Sequence, residues 1–100
     1  MQVQFADKDV KQILERVQKN LEENSLRKLV RFSLEGENLV LIVSKLGKSY
    51  VTLSSEDSQE GGLIFSVSHE KILPHHKVLK PMVIGELKKV LVKSGAIVLS

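Results

Sequence analysis

The sequence predicts one small α+β domain. It is an antiparallel β-meander of four to five strands with two helices packed on one face, in the order α-β-β-β-β-α-β. Three observations lead there. The length, 100 residues, is about one domain. Apolar residues recur with a helical period near both ends of the chain and with a period of two between them. Short turn segments around Gly36 and Gly47 separate the first strands, and such short connections favour antiparallel neighbours.

The first element is a helix over residues 7–23. Val10, Ile13, Leu14, Val17 and Leu21 form a single apolar stripe. Asp7 suits the N-cap, and Lys11–Glu15 and Glu15–Lys19 are opposite charges at i,i+4 spacing. The period then changes. Val30, Phe32 and Leu34 alternate with Leu29, Arg31, Ser33 and Glu35, which predicts a half-buried strand over 28–35. A turn at 35–38 leads into Leu39–Val43, apolar on both faces, as in a strand covered on both sides or a sheet whose second face meets a partner subunit. Residues 45–48 form the next turn, and residues 50–53 a third strand. Residues 54–62, rich in Ser, Glu and Gly, read as a long flexible hairpin tip, and residues 63–67 as a fourth strand. With these registers the sheet's other face would show Arg31, Ser33, Tyr50, Thr52, Ser66 and Ser68.

Residues 69–80 have no clear period and are bracketed by Pro74 and Pro81, which predicts a loop across one end of the sheet. Beyond Met82, the residues Val83, Leu87, Val90 and Leu91 fit a helix that stops at Gly95. The rival is a hairpin in which residues 89–92 turn at 93–95 into 96–99; either way residues 96–99 form a short last strand. The α-β-β-β-α core order is similar to that of the Alu-RNA-binding subunits of the signal recognition particle, a resemblance of element order that no motif accompanies.

Composition narrows the function classes. The chain is 42% apolar and 27% charged, ordinary for a globular domain. It has no cysteine, which excludes disulfides, thiolate chemistry and zinc–thiolate sites and fits a reducing compartment. Residues 1–10 contain no apolar signal core, and no apolar run approaches the roughly 20 residues of a membrane span. The expectation is a cytoplasmic protein without a membrane partner.

Charge is uneven. Residues 1–60 carry nine Lys/Arg against ten Asp/Glu, whereas residues 61–100 carry six Lys against two Glu. All three histidines lie in this second part. Lys71, His75, His76, Lys77, Lys80, Lys88, Lys89 and Lys93 are therefore the candidate binding surface, and Arg27, Lys28, Arg31 and Tyr50 a weaker second patch.

Reaction chemistry has little support. Gly47-Lys48-Ser49 imitates the end of a phosphate-binding loop, but Ile42 stands where the motif needs its first glycine, and a strand follows instead of a helix. The histidines lack zinc spacing. No Gly-x-Ser-x-Gly elbow appears, and the paired carboxylates Glu22-Glu23 and Glu56-Asp57 lie on solvated segments that would not raise a pKa by burial. No cofactor, metal or small-molecule substrate is predicted. The expected function is a non-catalytic interaction module, self-associating as a homodimer through surplus apolar surface at Leu39–Val43 and residues 97–99, with a basic surface for an acidic protein. Nucleic acid bound by the same basic surface is the alternative. A small enzyme or metal-binding protein using the loop histidines ranks third.

Overall fold

The computed structural model describes residues 1–99 and contains a six-stranded antiparallel sheet with two helices on one face. In chain order the elements are β1 (Gln2–Phe5), α1 (Val10–Glu22), β2 (Val30–Glu35), β3 (Asn38–Ser44), β4 (Lys48–Asp57), β5 (Leu63–Lys71), α2 (Lys80–Lys93) and β6 (Ile97–Val98). Short 3-10 segments, Ser25–Lys28 and Pro74–Leu79, precede β2 and α2. The sheet order is β2-β3-β4-β5-β1-β6. The predicted meander is therefore present as β2–β5, and the sheet has one or two strands more than expected.

The added strand is β1. Gln2-Val3-Gln4-Phe5 alternates polar and apolar residues, a signal present in the sequence but only four residues long. It pairs with β5 and β6, and it places Phe5 edge-to-face against Phe65 with ring centroids 5.9 Å apart. The strands of the central hairpin are also longer than predicted. Ser54–Asp57 belong to β4, and His69–Lys71 to β5, which leaves residues 58–62 as the turn. Serines and acids are poor strand formers, but here the ladder to β5 supplies their backbone partners, and Ser54 Oγ donates to Ser68 Oγ at 2.6 Å. Ser68 is the extra residue of a bulge opposite Thr52 and Leu53.

Helix α1 begins three residues later than the sequence suggested. Asp9, not Asp7, is the N-cap and accepts from the Lys11 N–H. Asp7 instead holds Arg16 in a two-pronged ion pair at 2.8 Å. The helix reading of residues 82–94 holds, with two further residues at its start. Its end is a Schellman motif: Ala96 N–H bonds Leu91 C=O, Gly95 N–H bonds Val92 C=O, and Gly95 takes φ +102°.

The core lies between the helices and one sheet face. Ile13, Val17 and Leu21 of α1 and Val83, Leu87 and Leu91 of α2 pack on Phe32, Leu41, Leu53 and Phe65. No described helix covers the opposite face. Its middle is apolar, Val40 and Ile42, shielded by neighbours on the same face. The free edge of β2 is protected at its centre, where Gln18 Oε1 accepts from the Phe32 N–H at 3.3 Å.

Candidate functional site

The register of the sheet assembles the outer face row by row. One row crosses four strands as Arg31, Ile42, Tyr50 and Lys71, and the next as Ser33, Val40, Thr52 and His69. Neighbouring strands are about 4.8 Å apart, so the Arg31 and Lys71 backbones stand about 15 Å apart with Tyr50 between them. Lys48 lies on the same face, next to the β3–β4 turn. All six residues expected on this face are on it.

These rows lie at the end of the sheet where β3 turns into β4. Lys45 is in that turn, Arg27 and Lys28 adjoin Ser44 from the 3-10 segment before β2, and the segment before α2, which carries Lys77, is bonded to the turn through His75 and His76. Arg27, Lys28, Arg31, Lys45, Lys48, Lys71 and Lys77 make no ion pair among the described residues. The opposite end carries Glu35, Glu37, Glu56, Asp57 and Glu60 on the β2–β3 and β4–β5 turns and the strand ends beside them, where they outnumber Lys8 and Lys11, which lie beside Gly36 and Glu37. Charge is thus biased along the strand direction, a polarity that only the fold creates.

The two predicted patches change rank. Of the larger group, Lys80 bonds Glu70 at 3.3 Å, Lys89 bonds Glu86 at 3.0 Å, and Lys93 bonds Glu23 at 3.0 Å. Lys88 is half-buried on α2. Lys88, Lys89 and Lys93 follow the helix away from Lys71 and Lys77, whereas Lys80, at its start, reaches Glu70 beside Lys71. The smaller group, Arg27, Lys28, Arg31 and Tyr50, joins Lys71 and Lys77 at the basic end. Lys45 and Lys48 belong there too. Their spacing of three residues in a tight turn was the only sequence signal for them.

His76 does not belong to any surface. It is 3% exposed. Its ring bridges Ser49 Oγ and the Lys45 carbonyl. A carbonyl only accepts, so Nε2 carries the proton, and in the neutral ring Nδ1 accepts from the Ser49 hydroxyl. Ser49 Oγ in turn accepts from the Leu73 N–H at 2.9 Å. His75 remains exposed, and its Nε2–H donates to the Leu46 carbonyl at 2.8 Å. Adjacent histidines thus bind successive carbonyls of the β3–β4 turn. His69 is remote from both, on the outer face of β5.

Ser49 and His76 are a hydroxyl and an imidazole in contact, the pairing that nucleophilic catalysis uses. Here the space beside them is a cavity of about 30 Å³ lined by apolar residues such as Leu41, Val51, Ile72 and Val83. That is room for about one water and not for an acyl substrate. The pair ties β4 to the segment before α2. No group of three or more His, Cys, Asp or Glu is placed to hold a metal ion among the described residues, and no described helix is long and apolar enough to cross a membrane. No protein-family model, curated protein or solved structure matches the chain.

Proposed function

We propose that this protein is a non-catalytic binding module that engages a polyanionic partner through the basic end of its sheet. The observation that carries this reading is the group of seven cations, without ion pairs among the described residues, gathered there from six segments around an open face with Tyr50 at its centre. Unpaired cations are free to replace the counterions of a phosphate or carboxylate array, and the release of those counterions drives association. Retention on an immobilised polyanion such as heparin should fall steeply with salt. Arg31→Glu combined with Lys71→Glu should weaken it by about tenfold or more. Reversing Lys89 and Lys93, which already have acidic partners, should change it far less. Equal losses from both pairs would refute the assignment to the basic end.

Self-association is a second reading, supported by β6. Ile97 is 64% exposed and Leu99 is also exposed, beside a strand edge that no other described strand occupies. Apolar side chains next to a free edge suit pairing with a second copy about a two-fold axis. Light scattering should then show a dimer that Ile97→Lys converts to monomer. A monomer at high micromolar concentration would remove this reading.

A further inference from the structure

The basic end also carries apolar side chains that the domain does not use. Leu46 is 85% exposed at the tip of the β3–β4 turn, and Val78 is 81% exposed in the 3-10 segment before α2. In such a segment residues i and i+3 lie above one another, so Val78 follows His75, whose ring is bonded to the Leu46 carbonyl. Met82, also exposed, is four residues further on, in the first turn of α2. Lys45, Lys48 and Lys77 flank these side chains. Of the acids, Glu70 is near, and it is paired with Lys80.

The turn is built to display its leucine. Leu46 has φ +53°, the left-handed region, where a residue with a bulky side chain is an outlier and glycine the usual occupant. The conformation is held from outside, because His76 and His75 donate to the carbonyls of Lys45 and Leu46. Strain retained in this way, with an apolar side chain turned to solvent, marks a residue kept for contact rather than for folding.

Resting on the polyanion reading above, we infer that the partner is an anionic lipid surface, into which Leu46 and Val78 insert while the surrounding lysines meet the headgroups. Three considerations favour lipid over the other polyanions. Leucine, valine and methionine offer neither hydrogen bonds to base edges nor a π face for stacking, so on a nucleic acid they could act only as wedges between base steps, at the cost of unstacking them. They do gain by leaving water for the headgroup–acyl boundary. A protein partner would need a pocket matched to each of these side chains, which stand on separate elements, whereas a fluid boundary needs none. The charge polarity gives the orientation: basic end toward the surface, with Glu35, Glu56 and Asp57 pointing away.

The chain has no tryptophan, so one introduced residue reports alone. Leu46→Trp and, separately, Val78→Trp should shift their emission to the blue with phosphatidylcholine–phosphatidylglycerol vesicles and not with phosphatidylcholine alone. The full chain should sediment with the anionic vesicles, and Lys45→Glu with Lys77→Glu should reduce this by about tenfold or more. Leu46→Gly is the control for folding. It relieves the backbone and should be at least as stable as the parent, yet lose most vesicle binding. Sedimentation with no blue shift at either position would mean surface attraction without insertion and overturns the proposal. A shift on adding poly(U) or polyglutamate, but not vesicles, would assign the tip to a soluble polyanion; the lipid inference then fails and the polyanion reading stands. Loss of both heparin and vesicle binding would overturn both.

Discussion

His76 and Ser49 face each other inside the domain, and single residues of this kind decide how the basic end is held. Removing the imidazole would leave the Ser49 hydroxyl and the Lys45 carbonyl without their partner and enlarge an existing void. His76→Ala should therefore cost about 2–4 kcal/mol in urea unfolding. His75→Ala, which loses an exposed bond, should cost well under half of that. Gly62 is the other position at which one atom matters. Its φ is +83°, and a β-carbon there would collide with the Phe5 carbonyl oxygen, so Gly62→Ala should destabilise by more than about 2 kcal/mol. Neither residue announced this role. A histidine beside prolines reads as loop, and the second glycine of a pair reads as flexibility; burial and close approach are properties of what packs against them.

At the scale of elements, a polar knot fastens the two helices to each other and to the loop after β1. Arg16 of α1 bonds both Asp7 oxygens and donates to the Ser94 carbonyl at 3.1 Å, while Asn20 donates to Ser94 Oγ at 2.8 Å. The Arg16 hydrogen bond, aided by its charge, holds the Asp7 carboxyl below its ordinary value of 3.8. Because the folded value is the lower one, this stabilisation is complete above the unfolded value and is lost as pH falls through the folded one. Glu23, held down by Lys93, and Glu86, held down by Lys89 and Asn24, act in the same direction at exposed sites. Stability should therefore decline below about pH 4, and Asp7→Asn should flatten that decline in acid-titrated melts. The first helix was legible from its stripe, a local signal; for the second, the stripe and the Gly95 stop favoured a helix over a hairpin, and the structure decided between them. The strand ends at Ser54–Asp57 and His69–Lys71 were not, because their pairing comes from a neighbour that the local sequence does not reveal.

For the whole molecule the controlling feature is charge polarity along a body 39 Å in its longest dimension. Salt at about 0.1 M screens charges beyond about 10 Å, so the acidic end has little influence on what binds at the basic end. Glu35→Lys with Glu56→Lys should leave polyanion affinity within about threefold of the parent in a direct titration, despite raising the net charge by four. A large gain would indicate that net charge, and not the basic end, governs binding.

The sequence by itself determined the α+β class, the first helix, the meander and the residues of the open sheet face, because period and turn chemistry act over a few residues; it favoured a helix over 82–94 but left a hairpin open. It also showed an excess of positive charge late in the chain. Tertiary structure decided what that charge could do. Folding paired Lys80, Lys89 and Lys93 with acids, buried His76, and carried Arg27, Lys28, Arg31, Lys45 and Lys48 to the end where Lys71 and Lys77 stand. Pairing and burial depend on distances between residues far apart in the chain, and these exist only once the sheet has set its register.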